Sequence, residues 1–484
     1  MIFSSSFFLT LILPLFLIIY FLINKAYKNI FLVVFSCFFY AWGAPKFIFV
    51  IIGTTLTDFF LVKWMATSEK NTRRKLLLAL SVSLNLGLLF YFKYCKFFVD
   101  NINELIHSFG YRGDINWTRL VFPIGISFYT FETITYVVDV YRKIHKPLTR
   151  FKDYLLYIIL FPKLIAGPII PYHDIADQLN DRFGKDKIDN KLSGFYIFCV
   201  GLAKKVLIAN TMGALATSIY GEMGTGAGAV APESVTAATA WVAAIAYTIQ
   251  IYFDFSGYSN MAIGLGKMLG FVFPENFNNP YISESITEFW RRWHITLGNW
   301  MKNYLYIPLG GNRSDKKGRV YFNLWLVFLI SGFWHGASWN FIIWGIWHGT
   351  FLILERIFLL KVTSGIGRFA RILFTLVIVI LGWVMFRVED VHMAFKYIAA
   401  MFGLNHGDFI CRLSNQDWAI AVISLFFSWF CLFKPFQHFH DYFFLQELKL
   451  RSHFWLAPVC ILLFILSLAG LAGNSFNSFI YFRF

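Results

Sequence analysis

The feature that most limits this chain is a long succession of apolar runs. They are Phe7–Ile23, Ile30–Trp42, Phe47–Val62, Leu76–Phe92, Leu120–Val138, Tyr154–Ile170, Leu192–Ile208, Ala237–Tyr252, Val320–Trp334, Phe341–Leu360, Ile372–Phe386, Ala419–Phe433 and Trp455–Ala472. A bilayer core needs about 20 apolar residues per helix, somewhat fewer inside a bundle, so these runs read as roughly a dozen spans. Composition agrees. The chain is 58% apolar and 14% charged, against roughly 45–50% and about 25% in soluble domains. A soluble fold of this length could not clothe its surface with so few charges. The expectation is an all-α polytopic membrane protein. With no internal repeat and no linker, residues 1–484 read as a single membrane domain.

The first run has no basic segment before it and no small-residue cleavage site after it, which predicts a transmembrane helix and not a cleaved leader. The six cysteines are scattered and lack a CxxC pair. They read as small buried hydrophobes, with no metal site and no disulfide framework. The net charge of +16 lies in loops between apolar runs, as the positive-inside bias requires, and nucleic acid is not an expected partner. Lys25, Lys28, Lys63, Lys70, Arg73, Arg74 and Lys75 make their loops cytoplasmic and put the N-terminus outside. Strict alternation then fails at the charged stretch Asp174–Lys191. The Pro/Gly-rich segment Phe161–Pro168 before it predicts a re-entrant stretch, because non-helical backbone at membrane depth is tolerated where it lines protein or water.

Ionisable residues in apolar surroundings are expensive, so they are functional candidates by default. Three clusters carry them. In Gln250–Asn260, Asp254 stands among aromatic residues at the end of an apolar helix, with Gly257 and Ser259 as a break. It reads either as a substrate contact or as a cap at a helix junction. In Ser285–His294, running on to Thr296, Asn299, Trp300 and Tyr304, a helix would make Glu288 and Arg292 i,i+4 partners, and would place Arg291 beside His294. Trp290 and His294 would share a face. This segment reads as a half-buried or re-entrant helix that binds a polar substrate, or else as an interfacial helix. In Ser331–Asn340, His335 ends a span between Trp334 and Gly336. Gly332 and Gly336 bracket it and leave room for close approach by backbone or substrate. On one continuous helix His335 and His348 would point roughly 140° apart. They could share a pocket only if the helix breaks near Gly336.

No Walker loop, GxSxG elbow or HExxH helix is present to compete. The stretches that carry these clusters, together with MIFSS (Met1–Ser5), FPIGISFYTFETITYVVDVYR (Phe122–Arg142), LIAGPII (Leu164–Ile170), YLYIPLGGNR (Tyr304–Arg313) and SGFWHGASWNFIIWGIWHG (Ser331–Gly349), resemble the membrane-bound O-acyltransferases. The alginate O-acetyltransferase branch is the nearest likeness. The resemblance covers residues 1–350, with the core in 250–350, whereas residues 390–484 carry little that matches. It implies a ring of tilted and re-entrant helices around a central tunnel, in a bacterial cytoplasmic (inner) membrane. It implies His335 as the catalytic histidine and His294 as a second functional position. Many relatives have Asp where this chain has Asn260, which removes any role resting on that carboxylate. No tightly bound cofactor is implied. The donor would be acetyl-CoA or an acyl carrier on the cytoplasmic side. The acceptor would be a hydroxyl on an extracytoplasmic polysaccharide or on a partner acetyltransferase.

An imidazole with an ordinary pKa near 6.5 suits proton transfer from an attacking hydroxyl to a leaving thiolate. Trp290, Trp334, Asn299 and backbone amides are candidate donors to the oxyanion. Arg291 and Arg292 are candidates to hold donor phosphates. A transporter moving an activated unit through a polar path, or a scaffold subunit of a polysaccharide-secretion complex, would share the broken helices and midplane charges.

Overall fold

The computed structural model describes the chain apart from residues 1–2, 112, 118–122, 166, 183, 185–186, 224–225, 314–316, 474–479 and 481–484. Met1 and Ile2 of the opening motif, residues 120–122 of the fifth apolar run and Ala166 therefore lie outside the description. Among the described residues the regular structure is helical, and pairing of extended backbone is confined to an isolated bridge between Val235 and Phe409. The chain divides into two compact units.

The first unit is built mainly from residues 7–186. It contains α1 (Leu13–Leu22), α2 (Lys28–Gly43), α3 (Ile48–Thr67), α4 (Asn71–Leu89), α5 (Cys95–Ser108), α6 (Ile126–Tyr141), α7 (Phe151–Ile159), α8 (Phe161–Leu164) and α9 (Tyr172–Asn180). Two buried carboxylates inside it are paired, as burial demands. Asp58 of α3 accepts from Ser81 (2.5 Å) and Asn85 (2.8 Å) of α4. Glu132 of α6 is ion-paired with Lys163 of α8. The apolar run Tyr154–Ile170 is not one helix. It stops at Ile159, turns at Leu160, and continues as a single turn followed by buried non-helical backbone. The Tyr157 hydroxyl satisfies part of that backbone by donating to Ile170 O at 2.8 Å. This is the break that the Pro/Gly composition predicts.

The second unit holds residues 3–6, 187–269 and 273–484. Its helices are α10 (Ile188–Ala203), α11 (Asn210–Tyr220), α12 (Ala237–Met268), α13 (Ile286–Arg292), α14 (Ile295–Trp300), α15 (Lys317–His335), α16 (Trp339–Leu354), α17 (Leu360–Thr363), α18 (Arg368–Arg387), α19 (Val391–Met401), α20 (Asn415–Trp429), α21 (Lys434–Leu445) and α22 (Leu450–Gly473). Phe3 of the opening motif stacks on Tyr258 of α12 at 5.0 Å.

The α12 helix corrects one expectation. It runs unbroken for 32 residues, so Asp254 lies within it and not at its end. Gly257 does not interrupt the helix. A Cβ there would lie 2.7 Å from Gly201 O, and one on Gly201 would lie 2.5 Å from Gly257 O. The glycines let α10 and α12 pack main chain against main chain, the use that small residues have between membrane helices.

Among the described residues, seven helices are long and apolar enough to cross a membrane, or eight if the pair Asn415–Leu432 and Lys434–Leu445, bent by 94°, counts as one. The chain is a multi-pass membrane protein, but with fewer such helices than its apolar runs imply. The shortfall has physical causes. The α6 and α7 helices have 16 and 9 residues, and α12 and α15 are diluted by Gln250, Asp254, Arg319 and Asn323.

Candidate active site

All three sequence clusters fall in the second unit. The α15 and α16 helices form a hairpin whose backbones touch. A Cβ on Gly332 would lie 2.3 Å from Phe341 O, and one on Gly345 would lie 2.5 Å from Phe328 O. The chain leaves the helix at Gly336 and resumes it at Trp339. The room beside Gly332 and Gly336 is taken by Phe341, so these glycines serve helix packing and not open access to His335.

Because the helix breaks, His335 and His348 do meet one side chain. Their rings stand edge-on to Trp344 at 5.2 and 5.1 Å. His335 is also enclosed by Trp334 (4.9 Å) and Phe386 (5.2 Å). His348 packs against Trp290 (5.0 Å) and beneath Gly382, where a Cβ would come within 2.6 Å of its Nε2. It is a buried packing residue between helices.

The segment 285–312 enters and leaves at one end of this hairpin. Ser285 caps α13 by accepting from Glu288 N at 3.0 Å. The Glu355 carboxylate also holds that start, accepting from Ile286 N (2.5 Å), Thr287 N (2.9 Å) and Thr287 Oγ1 (2.6 Å). A carboxylate is well placed against the unpaired N–H groups of a helix start. One residue further, Arg356 Nη1 donates to Asn312 Oδ1 at 3.1 Å. Between these anchors Trp290 meets Trp344 at 5.4 Å, and His294 meets Trp334, near the other end of α15, at 6.4 Å. The segment therefore doubles back on itself along the α15–α16 pair, with His294 at its tip.

The tip is not continuous helix. The α13 helix ends at Arg292, Trp293 is extended, and His294 is left-handed at φ +44°. That conformation costs a non-glycine residue roughly 1–2 kcal/mol, and it persists where the surroundings over-determine it. They do so here. Asn278 N donates to Arg292 O and Ile295 N to Asn276 O, both at 2.9 Å. The expected i,i+3 and i,i+4 relations of His294 to Arg291 and Trp290 consequently do not form. The Glu288–Arg292 pair does, at 2.9 Å.

The candidate residues are thus distributed unevenly. His294, Trp334 and His335 are buried and brought together, with Trp290 attached through Trp344. Arg292 is half-buried and tied to Glu288 and to Asn278 O (3.2 Å). Arg291 and Asn299 are exposed on the protein surface. Asp254 is buried in an ion pair with Lys205 Nζ at 2.7 Å, and its other oxygen accepts from Ile480 N at 2.9 Å. Asn276, Glu355 and Lys205 escaped the sequence reading, because each acts on a partner well outside its own segment, and Trp344 did because its chemistry lies in an indole face that no local pattern distinguishes from core. Among the described residues, no group of His, Cys, Asp and Glu is arranged to hold a metal ion.

A helical membrane unit in which a WHG histidine and a second histidine at the tip of a doubled-back segment flank one indole has relatives. The family model of the membrane-bound O-acyltransferases matches residues 34–389, and the chain belongs to that family: it is a membrane O-acyltransferase. The chain is 44% identical over 403 residues to a probable alginate O-acetylase of Pseudomonas aeruginosa, covering 83% of this chain and 75% of that one. It is 39% identical to a probable alginate O-acetylase of Pseudomonas putida, over the full length of both. It is also 36% identical over 449 residues to a peptidoglycan O-acetyltransferase of Helicobacter pylori, covering 86% and 82%.

Proposed function

We propose that the protein passes acetyl groups from a cytoplasmic thioester, acetyl-CoA or an acyl carrier, to a hydroxyl of an extracytoplasmic polysaccharide. The transfer is direct or runs through a partner acetyltransferase, and the chain works in a bacterial cytoplasmic membrane. The observation that carries this reading is the meeting of His294 and His335 at Trp334, two histidines 41 positions apart in the sequence. The relatives named for alginate and peptidoglycan acetylation support an acceptor of glycan type.

His335 acts as general base. It takes the proton of the acceptor hydroxyl as oxygen attacks the thioester carbonyl and the C–O bond forms. When the C–S bond breaks, the same imidazolium returns the proton to the leaving thiolate. Trp334 and Trp290 frame the carbonyl. Arg292, with exposed Arg291 and Asn299, engages the polar parts of the substrates, and Asp254 secures α12 through Lys205. No observation favours transport without chemistry. Purified protein supplied with acetyl-CoA or an acetylated carrier, and with acceptor glycan, tests the reading. His335-dependent thioester loss supports it, and glycan movement without thioester loss overturns it.

A further inference from the structure

Asn276 carries a chemical decision that the sequence conceals. Its Oδ1 faces three groups: Thr296 N (3.2 Å), Thr296 Oγ1 (2.9 Å) and His294 Nδ1 (3.0 Å). A backbone N–H can only donate, so the amide atom facing Thr296 N is the oxygen, and the orientation of the amide is settled. An oxygen of this kind cannot donate. The hydrogen between it and His294 therefore sits on Nδ1. In a neutral imidazole with Nδ1 protonated, Nε2 carries the lone pair. Main-chain bonds fix the same loop to the hairpin tip, from Ile295 N to Asn276 O and from Asn278 N to Arg292 O. The amide therefore cannot drift away from the imidazole.

We infer that Asn276 is a positioning residue that holds His294 in the Nδ1–H tautomer, so that its Nε2 serves as the hydrogen-bond acceptor for a second hydroxyl of the acceptor glycan, next to the one that attacks. This rests on the proposed role of His294 beside His335. The identity of residue 276 matters as well. A neutral amide oxygen does not favour the imidazolium as a carboxylate would. His294 accordingly aligns the acceptor through the neighbouring hydroxyl without taking a proton, and the proton of the attacking hydroxyl goes to His335. The two histidines hold different offices, and Asn276 separates them.

The test uses the full chain, labelled with ¹⁵N-histidine, in lipid bilayers. The signal of His294 is identified by its loss in His294→Gln. The expected spectrum has a protonated Nδ1 and an unprotonated Nε2. Asn276→Leu should scramble that preference. Asn276→Asp keeps the bonds to Thr296 and His294, yet should bring the doubly protonated signal in at a higher pH than in the native chain. A merely structural Asn276 would leave that titration unmoved. A native Nε2–H tautomer, or an Asp variant titrating like the native chain, overturns the inference. Glycan acetylation by cells carrying only His294→Gln is the separate arm. A reduced level supports the role of His294, and native-level acetylation removes that role whatever the spectrum shows.

Discussion

Asp254 and Lys205 form an ion pair at 2.7 Å with 1% and 2% of their surfaces exposed. The lysine comes from a π-turn, Lys204–Ala209, that joins α10 to α11. The pair ties the middle of α12 to a break in its neighbour. Removing one partner of a buried pair leaves an uncompensated charge and costs about 3–5 kcal/mol, whereas removing both can be nearly neutral. Asp254→Ala and Lys205→Met should each lower the unfolding temperature in detergent markedly. The double variant should recover much of the loss. Additive losses in that cycle would show that the two charges do not compensate each other.

His335→Gln should lose acyl transfer by about 10²–10⁴-fold, the usual worth of a general base. The side chain keeps comparable bulk between Trp334, Trp344 and Phe386, so the unfolding temperature should stay close to native. Thioester turnover and thermal unfolding on the same preparation check both halves. Turnover near native would end the assignment.

Glu355→Ala removes three hydrogen bonds from the start of α13 and leaves two N–H groups without their acceptor. Each such group costs about 1–3 kcal/mol when buried. Glu355→Gln keeps one acceptor oxygen and should fall between the two. Amide hydrogen exchange at residues 286–288 should accelerate in that order, and unchanged exchange would argue against the anchor.

Gly345→Leu places a side chain where a Cβ already lies 2.5 Å from Phe328 O. Overpacking typically costs 1–3 kcal/mol even where side chains can adjust, and here the obstacle is main chain. The variant should accumulate poorly in membranes, with Gly345→Ala intermediate. Native accumulation of the Leu variant would contradict the close hairpin.

What the sequence disclosed follows from the range of the forces involved. The apolar runs, the Glu288–Arg292 pair and the break after His335 depend on neighbours within a turn or two, and each was legible. The turn at His294 was not. No glycine or proline marks it, and bonds to Asn276 and Asn278 impose it from outside the segment. Gly257 misled for the opposite reason, because in isolation glycine weakens a helix, yet against Gly201 it is what permits contact. Lys205 answers Asp254, and Glu355 answers Ile286, across separations of 49 and 69 positions. No periodicity reports such pairings.

The backbone contact between Gly332 and Gly345 has a mechanical consequence. Two helices meshed at the main chain have no side-chain cushion through which to slide by small amounts. Relative travel would have to come in whole turns of about 5.4 Å, each of which would carry His335 away from Trp344. The hairpin therefore behaves as a fixed anvil. The segment laid against it is clamped at its two ends by Glu355 and Arg356 and at its tip by Asn276 and Asn278, so whatever adjustment a turnover cycle needs must come from elements outside this pair.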